Sequence, residues 1–228
     1  MISKINFFIA PSIEHKLYVK YRHPNVNVID WSSIWSHFFY WSQRNGKHHW
    51  LPTEAIRFLQ FACVDEGIDL HLNENTSKIV LNADGKNILY YIPKIGEYKI
   101  TEYNGNITTG DSSILYNLKN PICEYALYPH RHCISTINRT DYSQGLKLLL
   151  IADSMALPWV LCLAPICSTL TYIDNRDYKS LSQFHLNDYD KCFGLMVNHQ
   201  RYSVYGPQYG NRFVPDAITY FANQIKAK

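Results

Sequence analysis

The feature that most constrains this chain is an uninterrupted apolar run, LLLIA at residues 148–152, followed directly by Asp153 and Ser154. A strand that is buried on both faces of a parallel sheet has this composition, because helices cover the sheet on either side. A helix is expected to begin just after the run, since Pro158 is tolerated in a first turn whose N–H groups have no intrahelical partner. The pattern predicts a strand–turn–helix unit with a serine in the turn.

Short apolar runs alternate with helical patterns over much of the chain. Strands are predicted at residues 4–10, 25–30, 169–174 and 192–197, and helices at residues 31–41, 53–66, 177–187 and 215–226. Thr53 is expected to cap the second of these helices and Gly67 to end it. Alternating elements of this kind predict an α/β fold, with a parallel sheet covered by helices on both faces.

Residues 77–118 have a different character from the rest of the chain. The run KIVLNADGKNILYYI is rich in strand-forming residues, and Asn-Ala-Asp-Gly and Asn-Gly turns interrupt the region, which predicts antiparallel hairpins. At 228 residues the chain has the length of one generous domain. We therefore predict a single three-layer, flavodoxin-like parallel-sheet domain over residues 1–228, with residues 77–118 as a β-rich insertion.

Composition excludes several classes of function. The formal charge is only +3, from 22 basic and 19 acidic residues, and the basic residues are scattered, so no nucleic-acid partner is expected. No stretch approaches the ~18 apolar residues of a membrane span. The amino terminus is a poor signal peptide, so the expected compartment is the cytoplasm, or the periplasm or cell surface if the chain is part of a longer secreted protein. The six cysteines form no CxxC pair and are expected to be reduced core residues.

Ser154 is the first candidate for chemistry. In open α/β sheets, ligands bind at the carboxyl ends of the strands, which is where the predicted unit places this serine. The helix that follows offers free N–H groups and the positive end of its dipole, and both suit a developing oxyanion. Serine is also a frequent N-cap residue. The local pattern therefore leaves two roles open for Ser154, a nucleophile or a helix cap.

His49 is the second candidate, in the run Lys47-His48-His49-Trp50 just before the helix predicted at 53–66. A catalytic serine needs a base, and neutral imidazole is the usual one near pH 7. Histidine pairs in loops are also common surface residues without a role. Because adjacent side chains point in different directions, the two histidines are not expected to chelate one metal together.

Two other patterns were weighed as sites. His130 and His132 would share one face of a strand, where a metal could bridge them, but no second ligand cluster accompanies them. Asp188 and Asp190 are expected on a solvated turn. We predict neither a metal nor a cofactor.

Taken together, the histidine and serine segments resemble alginate O-acetyltransferase-like proteins, a branch of the SGNH-hydrolase superfamily that is named for an Asp-His-His-Trp motif. The family motif precedes the serine and introduces a helix, as His48, His49 and Trp50 do here. The residues from Tyr172 to Arg176 resemble the family's strand ending in Asp-x-Arg, with Asp174 at the aspartate position, and the resemblance spans about residues 5 to 205. It implies an SGNH-type fold with Ser154 as nucleophile and His49 as base.

The resemblance further implies serine-dependent transfer of O-acetyl groups, or ester hydrolysis, on a polysaccharide or surface glycan of bacterial polysaccharide biosynthesis. In the family an aspartate stands two positions before the catalytic histidine, whereas this chain has Lys47. A cation beside a histidine disfavours the imidazolium that a carboxylate would stabilise. Asp30, Glu54 or another carboxylate could take the place of the aspartate in space, so a weak dyad, a repaired triad and an inactive site all stay open. The alternative is therefore a catalytically inactive protein that binds glycans or assembles with other polysaccharide-pathway proteins, for which the 18 tyrosines offer stacking surfaces. A third possibility is an incomplete domain that completes its sheet with a partner.

Overall fold

The computed structural model describes residues 1–10, 21–31, 52–72, 76–83, 86–93, 95–102, 104–115, 133–152, 156–174, 178–197 and 213–225. In chain order, its elements are β1 (Ile5–Ala10), β2 (Val26–Asp30), α1 (Pro52–Asp65), β3 (Thr76–Ala83), β4 (Lys86–Pro93), β5 (Glu97–Glu102), β6 (Ile107–Asp111), β7 (Cys133–Arg139), β8 (Leu146–Ala152), α2 (Leu157–Leu163), β9 (Cys167–Asp174), β10 (Lys191–Val197) and α3 (Phe213–Ala222). Short 3₁₀ helices lie at Ser112–Leu115, Tyr178–Gln183 and Leu186–Asp188.

One mixed sheet of eight strands organises the fold, in the order β2-β1-β10-β8-β9-β7-β5-β6. The strands from β2 to β9 in that order pair in parallel. Strand β7 then pairs antiparallel with β9 and β5, and β6 pairs antiparallel with β5. The predicted α/β fold is confirmed, with its parallel part extended on one side by three antiparallel strands.

Helices cover both faces of this sheet and enclose two cores. On one face, alternate residues of the parallel strands pack against α1 and α2, as Leu148, Leu150 and Ala152 of β8 do. On the other face, the intervening residues, such as Leu149 and Ile151, pack against α3. We call these the α1 face and the α3 face. A strand buried on both sides needs an unbroken apolar run, which is why residues 148–152 predicted β8 correctly.

The predicted hairpins are present, and they contribute to two different sheets. Strands β3 and β4 form a separate two-stranded antiparallel sheet, whereas β5 and β6 belong to the main sheet. The turn between β5 and β6 contains Gly105, whose φ of 85° lies in the left-handed region that glycine adopts without a steric penalty. The division of the chain into one domain with an insertion at 77–118 stays a prediction.

Two local predictions are wrong. Helix α1 begins at Pro52, so Thr53 lies inside it and is not its cap. The helix predicted at 177–187 is replaced by two 3₁₀ helices, Tyr178–Gln183 and Leu186–Asp188. Serine, asparagine and aspartate are frequent in this segment, and their side chains compete with the backbone for hydrogen bonds, which favours short i→i+3 turns over an α-helix. Of the helix predicted at 31–41, all but Trp31 lies outside the described residues.

Candidate functional site

The carboxyl ends of the five parallel strands meet at one edge of the sheet, which we call the carboxyl edge. It is formed by the last residues of these strands, namely Ala10, Asp30, Ala152, Asp174 and Val197. From β1 the chain continues to β2 on one side of the sheet, whereas from β8 it continues to β9 on the other side. Where successive connections lead towards opposite sides of a sheet, a crevice is left between them at the carboxyl edge. This crevice is the usual place for a ligand in an open α/β sheet.

The predicted site residues lie outside the described part of the chain, while the elements on either side of them are described. Ser154 falls between Ala152, the end of β8, and Ala156, which precedes α2. His49 and Lys47 fall in the segment before α1, which begins at Pro52. His130 and His132, weighed as a metal pair, also lie outside the described residues. The roles of Ser154 and His49 stay predictions.

The residue just before α2 bears on the two roles left open for Ser154. The N-cap position of α2 is occupied by Ala156, which forms no side-chain cap. Alanine at this position leaves the first N–H groups of the helix without the oxygen that a capping serine would supply. Ser154 itself lies outside the described residues, so both roles left open for it, nucleophile and helix cap, stay predictions.

Helix α1 runs antiparallel to the parallel strands and spans the height of the sheet. Glu66, just past its last residue, accepts a hydrogen bond from Asn6 Nδ2 and is 2.5 Å from Lys191 Nζ at the start of β10. These contacts place the end of α1 at the amino edge of the sheet. Its 14 residues are about 20 Å long, similar to a seven-residue strand, so Pro52 lies towards the carboxyl edge.

Helices α1 and α2 are joined by a buried hydrogen bond near their amino ends. The indole Nε1 of Trp159 in α2 donates to the carbonyl oxygen of Ala55 in the first turns of α1, at 2.7 Å. Both residues are fully buried. An indole is buried without a large penalty only if its N–H finds an acceptor, so this bond fixes how the two helices meet. The segments that carry His49 and Ser154 each end at one of these helices.

Four aromatic rings pack against one another beside the contact between α1 and α2. They belong to Phe8, Trp31, Phe58 and Trp159. The ring centroids of Phe8 and Trp31 are 4.9 Å apart in a stacked arrangement, and those of Trp31 and Phe58 are 4.7 Å apart. Trp159 meets Phe8 edge-on at 5.8 Å. All four side chains are buried, so these rings are part of the core and do not offer a stacking surface for sugar rings.

Asp174 is a buried carboxylate at the carboxyl edge. It is only 7% exposed, and it is the last residue of β9. Leu170 and Tyr172 pack in the core of the α1 face, whereas Ile173 packs in the other core, so the alternation of a strand directs Asp174 to the α1 face. Local pattern could not reveal this, because β9 is buried on both faces and its register with β8 is a long-range property.

The other candidates do not form a site. Asp188 and Asp190 are exposed, as expected of a turn, and Asp190 accepts a hydrogen bond from the backbone N–H of Lys147 at the amino edge. Among the described residues, no group of three or more histidine, cysteine or acidic side chains is placed to hold a metal ion. None of the helices that the structure describes is both long and apolar enough to cross a membrane.

The four cysteines whose side chains the structure describes are buried free thiols on or beside the two cores. They are Cys63, Cys162, Cys167 and Cys192. Burial raises the pKa of the Cys63 and Cys162 thiols to about 12 and also raises the pKa of Cys167 and Cys192. Since the thiolate is the nucleophile and the metal ligand, these residues are inert packing groups.

Comparison with known proteins identifies similar folds without identifying a family. No family model matches the chain, and no curated protein matches it. The solved structure of PatB1 from Bacillus cereus matches with a TM-score of 0.57 and 16% identity, over 86% of this chain and 82% of that one. The same protein with a sulfonyl adduct matches with a TM-score of 0.58, 16% identity and coverage of 86% and 81%.

A third structure, of a DHHW family protein from Eubacterium siraeum, matches with a TM-score of 0.56 and 14% identity. That alignment covers 99% of this chain and 84% of the other. At such low identities the likeness is one of fold. The fold of this chain is therefore shared with PatB1 and with a protein of the DHHW family, over most of the length of each.

Proposed function

We propose that this chain is a serine-dependent acyl-transfer protein of the SGNH type, in its DHHW branch, that acts on O-acyl groups of a polysaccharide or surface glycan. The observation that carries the proposal is the path of β8. This strand is buried on both faces and ends at the carboxyl edge, where the connections from β1 and β8 lead towards opposite sides of the sheet. Helix α2 follows it within five residues. Two residues of chain span at most about 7 Å, so Ser154 follows the strand end closely.

The position of α1 supports His49 as the base. His49 precedes Pro52 by three residues, a distance of at most about 10 Å along the chain. Pro52 lies towards the carboxyl edge, and the Trp159–Ala55 bond holds the first turns of α1 against α2. Each proposed catalytic residue is thus within three positions of the start of a helix, and the two helices are in contact. The fold shared with a DHHW family protein is consistent with this assignment.

The chemistry follows from the two side chains. His49 takes the proton of the Ser154 hydroxyl while the serine oxygen attacks the carbonyl carbon of the acyl donor. The tetrahedral intermediate collapses when the donor's leaving oxygen receives that proton, and an acyl-serine remains. A sugar hydroxyl, or water, then gives its proton to His49 and attacks the acyl carbon. The bond from that carbon to the serine oxygen breaks, the serine oxygen takes the proton back from His49, and an acylated sugar or the free acid is released. The first outcome is O-acetyl transfer and the second is esterase activity.

A serine-directed fluorophosphonate probe tests the proposal. The native chain should be labelled, and both Ser154→Ala and His49→Ala should lose the label. Ser143→Ala is a matched control, because Ser143 is an exposed serine in the turn before β8, at the opposite edge of the sheet. Labelling of the native chain that is no stronger than labelling of Ser154→Ala rules out serine catalysis at this position.

The second candidate function is an inactive glycan-binding or assembly protein with the same fold. Lys47 at the family's aspartate position favours it, because a cation there opposes proton transfer to His49. Acetylated glycans distinguish the two functions. Ser154-dependent release of acetate supports the enzyme, whereas binding that is unchanged in Ser154→Ala without acetate release supports the second function.

A further inference from the structure

A cavity of about 380 Å³ lies beside β2, the outermost parallel strand of the sheet. It is lined by the residues that lead into β2 and by the first half of the strand, namely Tyr21, Arg22, His23, Pro24, Val26 and Val28. Val26 and Val28 pack in the core of the α3 face, and Val26 lies opposite Ile5 at the start of β1. The cavity is therefore on the α3 face towards the amino edge, apart from the proposed catalytic site, and its volume suits a small molecule.

Hydrogen bonds to α3 and to the residues just after it hold the wall of this cavity in place. The Tyr21 hydroxyl lies 2.9 Å from Thr219 Oγ1. His23 Nε2 lies 3.1 Å from Asn223 Oδ1, and Asn25 Nδ2 donates to a backbone carbonyl at the end of α3 at 3.0 Å. Side chains that are already fixed lose little conformational entropy when a ligand binds, so this wall is preorganised.

Arg22 is the only charged side chain among the described residues that line the cavity. His23 Nδ1 accepts the backbone N–H of Asn25 at 3.2 Å, so the imidazole is neutral and carries its proton on Nε2. Burial, and to a smaller extent the nearby Asp216, raise the pKa of the Tyr21 phenol, which stays neutral as well. Arg22 is exposed, and in the described part of the chain no carboxylate forms an ion pair with it. The cavity thus offers one unpaired positive charge.

The floor of the cavity is apolar. Val26 is only 8% exposed and Val28 is partly buried, and both side chains lie on the same side of β2. A guanidinium binds a carboxylate through two parallel hydrogen bonds, whereas valine side chains gain free energy by covering apolar surface. A sugar ring placed over this floor would bury hydroxyl groups without partners, which is costly. The lining therefore matches an anion with an apolar body better than it matches a sugar.

We propose that this cavity binds a small carboxylic acid with an apolar body, whose carboxylate pairs with Arg22 and whose body covers Val26 and Val28. The site does not depend on the proposed acyl-transfer function. Because Tyr21 and His23 bridge the segment before β2 to α3, a ligand that binds only the folded chain here also stabilises the packing of α3 on the edge of the sheet.

The first test is a calorimetric titration of the purified chain with benzoate, which has a carboxylate on an apolar ring. Binding should saturate at one site, and benzyl alcohol, which has the ring without the charge, should bind at least about tenfold more weakly. Arg22→Gln should weaken benzoate binding by the same factor. Lys99→Gln is the matched control, because Lys99 is an exposed cation on β5 towards the other end of the sheet, and its affinity should stay within about twofold of the native value. Equal benzoate affinity in Arg22→Gln and the native chain overturns the proposal.

The second test locates the ligand by NMR of the valine methyl groups. Benzoate should shift the methyl resonances of Val26 and Val28 and leave those of Val160, in the core of the α1 face, unchanged. Val28→Phe, which fills the floor, should abolish the shifts at Val26. Shifts at Val160 instead, or no saturation by about 10 mM benzoate, overturn the proposal. Binding of an extended acidic peptide without binding of benzoate also overturns it, since that result would assign this edge of the sheet to a protein partner.

Discussion

Trp159 links the aromatic cluster to helix α1. Its ring is part of the aromatic cluster, and its indole N–H reaches Ala55 in α1, 104 positions away in the sequence. A single residue thereby sets the distance between the helix that follows the serine segment and the helix that follows the histidine segment. Precise placement matters for such a pair, because small misplacements of catalytic groups lower rates steeply.

Replacement of Trp159 by phenylalanine removes the donor and keeps an aromatic ring. We expect the free energy of unfolding, measured in urea, to fall by about 1–3 kcal/mol, from the lost hydrogen bond and the smaller ring. The rate of fluorophosphonate labelling should fall as well, since α1 and α2 are no longer held by the indole. A variant with native stability and a native labelling rate would show that the Trp159–Ala55 bond has no positioning role.

Among the elements, helix α1 has a clearly defined carboxyl end, which is formed around Gly67. The backbone N–H of Ile68 bonds to the carbonyl of Cys63 at 2.8 Å and that of Gly67 bonds to Val64 at 3.1 Å, which is a Schellman motif with Gly67 at a φ of 67°. The prediction that Gly67 ends this helix is confirmed, and it depended only on neighbouring residues. The amino end was mispredicted at Thr53 because a helix start at Pro52 uses the fixed φ of proline instead of a side-chain cap.

Gly67→Ala tests this helix end. Nothing lies within 4 Å of the added methyl group, so the cost is one of backbone conformation alone. We expect a loss of about 1 kcal/mol in the free energy of unfolding. Gly67→Asn, which tolerates the left-handed region better, should lose less, and equal losses in the two variants would contradict this explanation.

The packing of α3 on the sheet depends on a second glycine. A methyl group at Gly194 in β10 would lie 2.5 Å from Ile218 Cδ1 and 2.8 Å from a ring carbon of Phe7. Gly194→Ala should therefore lower the free energy of unfolding by about 1–3 kcal/mol. Adding Ile218→Val removes the nearest atom, so the double variant should be more stable than the sum of the single changes predicts. Strict additivity in a double-mutant cycle would argue against this contact.

An element could be predicted where residues that are neighbours in the sequence determine it, and not where distant residues do. Strand β8 and the Asn-Gly hairpin followed from neighbouring residues, because burial on both faces and a tight turn each restrict composition locally. The 3₁₀ segment at 178–188 did not, because its side-chain and backbone hydrogen bonds compete closely with those of a helix. The place of β7 between β9 and β5 is a long-range pairing that no local pattern contains.

For the whole molecule, buried thiols and a buried phenol determine how stability changes at alkaline pH. The pKa of Cys63, Cys162 and Tyr98 is raised by burial to about 12, and that of Cys167 and Cys192 is raised too. Each group is held neutral in the folded state, so its contribution to stability is complete below its ordinary pKa, 9.0 for a thiol and 10.0 for the Tyr98 phenol, and declines as pH rises towards 12.

We therefore expect the free energy of unfolding to fall from about pH 9 upwards, by at most about 1.4 kcal/mol per pH unit for each group. Cys192→Ala removes one of these groups and should make the decline shallower by up to that amount, while its curve runs parallel to the native one below about pH 8. Urea unfolding at a series of pH values measures both slopes. Parallel curves above pH 9 would contradict the assignment.

The site itself was predictable only in part from the sequence. Ser154 follows an apolar run whose composition alone indicates a buried strand, so its place directly after β8 was predictable, while its role as nucleophile or helix cap stays a prediction. The place of Asp174 at the carboxyl edge, on the α1 face, follows from the register of β8 and β9 and from the alternation of β9. Both are properties of the assembled sheet.

The most direct measurement of the central claim is the covalent intermediate. The native chain is incubated with an activated acetyl ester, quenched in acid and digested with trypsin, and the peptide of residues 148–176 is analysed by mass spectrometry. Serine-dependent transfer predicts one added acetyl group at Ser154, absent from Ser154→Ala and strongly reduced in His49→Ala. An unmodified peptide, or acetylation that persists in Ser154→Ala, would contradict the claim that this serine carries the acyl group.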